Sequence, residues 1–90
     1  MDDSKEKSHK SYPNPFNKSV TIAYDLQVPG IIQIDIYSKE GKVVTNIFSD
    51  FQHAGSHHIE WKPRKLSGGL YLYKISSRNK IYTGKMIFVK

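Results

Sequence analysis

The chain of 90 residues contains no cysteine. That single absence excludes disulfides, cysteine nucleophiles and thiolate metal sites, while leaving the redox compartment open. No apolar run approaches the roughly 18 residues that a membrane span requires, so the chain does not read as membrane-spanning. MDDSKEKSHK at 1–10 lacks the apolar stretch of a signal peptide. Arginine is scarce: only Arg64 and Arg78 stand among the 14 basic residues. Lysine is a point charge, ill suited to bidentate recognition of bases or phosphates, and the lysines are scattered from Lys5 to Lys90, with only Lys62, Arg64 and Lys65 close together. The net charge of +6 therefore reads as a solvated surface, with an anionic partner such as lipopolysaccharide or an acidic receptor as a second use, and no nucleic acid partner is expected. Helical periodicity is missing as well, in every 11-residue window.

What the chain does have is alternation. Val20, Ile22, Tyr24 and Leu26 alternate with Thr21, Ala23 and Asp25, as a half-buried strand requires. VPG at 28–30 turns the chain, after which Ile32, Ile34 and Ile36 point inward. SKEGK at 38–42 is a hairpin signal, with Gly41 suited to a left-handed position, and Val43–Phe48 is the return strand. SDFQHAGSH reads as a loop, and HHIEWK as a short strand closed by Pro63. After RKLSGG, Tyr71, Tyr73 and Ile75 line the next strand. SRNK at 77–80 turns it, and Ile81–Val89 completes the chain. Short strands with turn signals every 8–12 residues predict an all-β fold, an antiparallel immunoglobulin-like β-sandwich of about seven strands. Residues 1–11 are expected to be a disordered linker or leader, with the sandwich over 12–90.

YPNPF at 12–16 fixes the backbone unusually firmly before the first long strand. Pro13 and Pro15 cannot donate to a ladder, and each holds the residue before it extended. Asn14 can bond nearby backbone, and Phe16 gains a fixed direction into the core. The corner is expected to pin the register of the strand that follows.

Catalytic groups are few. Beyond the leader the only carboxylates are Asp25, Asp35, Glu40, Asp50 and Glu60. Asp25 and Asp35, both outward on consecutive strands, could share an exposed face, and the expected role is solubility and edge protection. His57 and His58 point to opposite faces of a strand and cannot chelate together. His53 and His57 could approach, but no further ligand is evident. No G-x-S-x-G elbow is present, and SGG at 67–69 is followed by neither Lys-Ser/Thr nor a helix. No catalytic residue, metal or cofactor is expected. Tyr37 and Tyr82 are the candidates for a carbohydrate platform. Taken alone, the residues thus also allow an adhesive or carbohydrate-binding immunoglobulin-like accessory module of a surface enzyme.

YPNPFN (12–17), TIAYDL (21–26), IDIYSKEGKVV (34–44), HAGSHHIEW (53–61), SGGLYLYKI (67–75) and GKMIFVK (84–90) occur in the order and spacing of a known family. Over residues 12–90 the chain resembles the type A C-terminal sorting domain of the type IX secretion system, which is related to the immunoglobulin-like domain of flagellar hook-capping proteins. The resemblance implies a seven-stranded sandwich that directs an N-terminally fused cargo through the periplasm and an outer-membrane translocon. Delivery would be to the surface or exterior of a Gram-negative bacterium. It also implies a sortase-like peptidase that removes the domain, cutting in or before residues 1–11, and attachment of the cargo to anionic lipopolysaccharide. The sorting information maps to Gly84, Lys85, Met86, Ile87, Phe88, Val89 and Lys90. Pro13, Asn14, Pro15, Phe16, Gly41, Gly55, Gly69 and Tyr71 fall on motif positions read as architectural. Recognition is expected at an exposed edge or face of the last strand instead of a pocket, with unpaired backbone groups for β-addition and Lys85 and Lys90 for steering. WKPRKLSGG departs from the family, whose members often carry Asp-Gly after the tryptophan.

Overall fold

Two-residue alternation governs most strands of the computed structural model, which describes residues 9–78 and 80–90. In chain order these are β1 (His9–Tyr12), β2 (Val20–Leu26), β3 (Gly30–Ser38), β4 (Val43–Gln52), β5 (Gly55–Trp61), β6 (Gly69–Ser76) and β7 (Ile81–Phe88). Every paired neighbour is antiparallel. The strands form a three-stranded sheet, β1-β2-β5, and a four-stranded sheet, β4-β3-β6-β7. The two pack as the immunoglobulin-like sandwich that the alternation predicts. Residues 1–8, where the leader is expected, and Asn79, within the expected SRNK turn, lie outside the described residues. Residues 9–11 do not belong to a leader: they pair with β2, His9 facing Tyr24 and Ser11 facing Ile22.

The core is made by the inward rows. Val20, Ile22, Tyr24 and Leu26 from one sheet meet Ile32, Ile34, Ile36, Tyr73, Ile75 and Met86 from the other. Each such aliphatic side chain contributes about 1.5–3 kcal/mol on burial, and a one-residue slip of β2 would turn its whole set to solvent. At one end Phe16 packs against Trp61 and stacks on Phe88, with centroids 6.0 and 5.2 Å apart, and Trp61 meets Tyr71 edge-on at 5.9 Å. This aromatic cluster joins both sheets to the proline corner.

Two expectations about β4 are corrected. The strand continues to Gln52 instead of ending at Phe48, so the loop before β5 shrinks from nine residues to His53 and Ala54. The ladder to β3 runs on regularly from Phe48 to Gln52, while nearer its start β4 has a pair of register shifts against β3, between Ile34/Asp35 and Ile36/Tyr37. Each leaves one extra residue on β4, Ile47 and Val44, and both pack on the core. The bulges break the apparent period while the ladder continues.

The hairpin at 38–42 forms as expected. Gly41 has φ +89° and its N–H donates to the Ser38 carbonyl at 2.9 Å, a conformation that other L-residues rarely adopt. Gly55 and Gly69 also have positive φ. In the loop that departs from the family pattern, Lys65 has φ +56°. The Tyr71 hydroxyl donates to the Ser67 carbonyl at 2.7 Å and braces that loop as a tyrosine corner does.

Candidate functional site

β7 is an edge strand of the four-stranded sheet, paired along one side with β6. Its alternation sends Tyr82, Gly84, Met86 and Phe88 inward and Ile81, Thr83, Lys85 and Ile87 outward. Of the predicted recognition residues, Met86 and Phe88 are therefore core. Ile87 and Val89 remain 45% and 51% exposed, with Lys85 and Lys90 also exposed.

Between Lys85 and Val89 the free side of β7 is occupied. Asn14 lies beside it, its Nδ2 donating to the Lys85 carbonyl at 2.9 Å and its Oδ1 accepting the Ile87 N–H at 2.9 Å. One step further, the Phe16 N–H donates to the Ile87 carbonyl at 2.9 Å and the Val89 N–H to the Phe16 carbonyl at 2.8 Å. An asparagine amide carries a donor and an acceptor side by side, so it pairs with a strand as a backbone segment would. The expectation of unpaired edge groups from Lys85 to Val89 is thus corrected. Asn14 bonds backbone 71 and 73 residues away in sequence, not the nearby backbone expected of it. The proline corner is a cap for the last strand.

Gly84 has a packing reason of its own. A Cβ there would lie 2.3 Å from the Tyr73 ring, which sits directly across the strand pair. The Tyr73 hydroxyl meets His9 Nδ1 at 2.7 Å, and the His9 ring stands over Tyr82 with centroids 5.0 Å apart. Burial lowers the His9 pKa from its ordinary 6.5 and pushes the Tyr73 hydroxyl up to about 12. The short β1 is thereby tied to both strands of the last hairpin, a link that HKSY does not betray by any apolar pattern.

The remaining candidates are placed as follows. Asp25 and Asp35 sit in different sheets, so they share no face. Asp35 is only 8% exposed and accepts from Asn46 Nδ2 at 2.9 Å and Gln33 Nε2 at 3.2 Å; its role is to brace the β3–β4 ladder at a bulge. Asp25 accepts from the Ser56 hydroxyl at 2.7 Å. His57 Nε2 lies 2.7 Å from the His53 carbonyl oxygen, an arrangement in which it donates. Among the described residues no three His, Cys, Asp or Glu side chains are grouped to hold an ion. Tyr37 lies under Lys74, its ring centroid 5.3 Å from Nζ, and Tyr82 packs against the core. The two do not form a shared platform: one faces outward, the other inward. Lys62 and Arg64 border an open cleft of about 280 Å³ with Trp61 and Leu66. No helix among the described residues is long and apolar enough to cross a membrane.

Residues 10–90 match the family described as "Secretion system C-terminal sorting domain". No curated protein matches the chain. Among solved structures, the chain is similar to PorZ of Porphyromonas gingivalis, described as an essential bacterial surface component of the type-IX secretion system. The two are 19% identical with a TM-score of 0.69, over 97% of this chain and 12% of that one. At that identity the likeness shows the fold, and the chain spans a small part of PorZ.

Proposed function

Since the chain belongs to the secretion system C-terminal sorting domain family, the sorting signal of type IX secretion and not a catalytic family, we propose that it is read as a folded tag through the outward side chains of β7. Proteins bearing the family's signal are exported to the cell surface or secreted. The finer steps proposed for this chain are passage of an N-terminally fused cargo through the periplasm, recognition by an outer-membrane translocon, and removal by a sortase-like peptidase with anchoring on lipopolysaccharide.

The observation that carries the reading is the pairing of an occupied strand edge with an exposed strand face. Asn14 and Phe16 take the backbone groups from Lys85 to Val89, which disfavours strand addition there. Lys85, Ile87 and Val89 still present a charge and two apolar groups. A receptor serving many cargoes needs a feature of the tag alone, and an exposed face supplies one without a pocket.

The test fuses residues 1–90 behind a fluorescent protein carrying an ordinary export signal, in a type IX-secreting host and in its translocon-deficient mutant. Fluorescence in the medium or on the surface of the first host, and its retention in the second, is the expected result. Equal retention in both hosts contradicts the reading.

A further inference from the structure

The two outward faces of the sandwich differ in kind. On the three-stranded sheet the outward rows hold Lys10, Thr21, Ala23, Asp25, His58 and Glu60 beside Tyr12, whose ring lies under Lys10, a mostly polar surface of mixed charge. On the four-stranded sheet, Val43, Tyr37, Leu72 and Lys85 form one continuous row across all four strands. Leu70 and Ile87 are paired in the next row, and Lys74 covers Tyr37. Val43 is 61% and Ile87 45% exposed. The one carboxylate on this face, Asp35, is buried among Asn46 and Gln33. The row beside the patch is Asn46, Asp35, Lys74 and Thr83, and Glu40 shares a cleft with Leu70; a contiguous apolar patch with a polar rim that includes exposed lysines is a common mark of a docking surface.

We propose that this face docks a partner protein whose own surface carries an apolar centre fringed by carboxylates. The inference rests on the reading of the chain as a sorting tag, because β7 contributes Lys85 and Ile87 to the patch. It extends the recognised surface to Val43, Tyr37 and Leu72 on the three other strands. Complementary charge selects the occupant: Lys74 and Lys85 attract acidic groups and repel a second copy of a chain that itself carries +6. The chemistry of the patch argues against sugar, since its apolar members apart from Tyr37 are branched aliphatics, and stacking on sugar rings needs exposed aromatic faces. Tyr37 already has its ring under Lys74.

The test uses the full 90-residue chain in the same fluorescent fusion. Val43→Glu with Leu72→Glu, and separately Lys74→Glu with Lys85→Glu, are compared with Thr21→Glu with Ala23→Glu on the opposite face. Thermal unfolding of each purified chain confirms that it folds. Both pairs on the four-stranded sheet are expected to lower export roughly tenfold or more, as unpaired or repelling charges in an interface do. The pair on the opposite face is expected to leave export within about twofold. A photo-crosslinker at Leu72 is expected to trap a protein component of the secretion machinery, and the same group at Ala23 to trap none. Normal export of the folded Val43/Leu72 pair, while the unsubstituted fusion still depends on the translocon, overturns this inference and leaves the sorting function standing. A crosslink only to lipopolysaccharide or to a second copy of the chain overturns the choice of occupant. Failure of the unsubstituted fusion to be exported overturns both.

Discussion

Asn14 pairs with the last strand through both ends of its amide, Oδ1 to the Ile87 N–H and Nδ2 to the Lys85 carbonyl, each at 2.9 Å. Replacing it with alanine removes both bonds and uncovers that part of the edge. Asn14→Ala should cost about 1–2 kcal/mol and promote self-association through the bared strand. Asn14→Asp keeps the acceptor but loses the donor and should fall between. Urea unfolding and sedimentation at rising concentration measure the two effects. An alanine variant as stable and as monomeric as the parent would deny the cap its role.

Gly84 faces Tyr73 across the strand pair, where a Cβ would meet the ring at 2.3 Å. Gly84→Ala is expected to destabilise by about 1–3 kcal/mol through overpacking. In a Tyr73→Leu background the same change should cost less, since the two positions touch and their effects are not additive. A double-mutant cycle followed by thermal unfolding decides it. Additive losses would mean that the close approach is not the reason for glycine.

His9 gives the chain a measurable response to acid. Its pKa is lowered by burial from the ordinary 6.5, so the folded chain binds fewer protons there than the unfolded chain. The stabilisation is complete above the unfolded value and is lost as pH falls below it. Tyr73 and Tyr82 are the groups that face the imidazole, and protonation puts a charge on this partly buried ring and leaves both its nitrogens as donors. The melting temperature should fall on acidification from about pH 7.5 to about pH 5, and less steeply in His9→Phe. Parallel curves for the two chains would show that His9 does not couple folding to pH.

Period-two rows make the sandwich legible in the sequence alone. Val20, Ile22, Tyr24 and Leu26 face one sheet's core and Ile32, Ile34 and Ile36 the other's, as their spacing demands. The far end of β4 was not legible, because Ser49, Asp50 and Phe51 are all exposed and carry no inward row, and only the ladder to β3 shows that they belong to the strand. β1 was missed for a different reason: His9, Lys10 and Ser11 are held by ladder bonds and by the Tyr73 hydroxyl, neither of which leaves an apolar signature. At the candidate site, the sequence marked both the rigid corner and the terminal strand. It did not reveal that they touch, since a contact spanning 71–73 residues depends on how the sheets stack. The outward row Val43, Tyr37, Leu72 and Lys85 was hidden likewise, being assembled from four strands whose registers only the fold fixes.

The outward side chains of the terminal strand can be separated from its inward, fold-bearing ones. Ile87 and Val89 are both exposed, so Ile87→Glu with Val89→Glu should leave the melting temperature of the purified chain nearly unchanged, within about 0.5 kcal/mol in stability. The decisive measurement is the fraction of a fluorescent cargo delivered to the surface or medium by this folded variant in a type IX-secreting host. A tag read through the face of β7 requires delivery to fall to the level of the translocon-deficient strain. Delivery equal to that of the unsubstituted tag would contradict it.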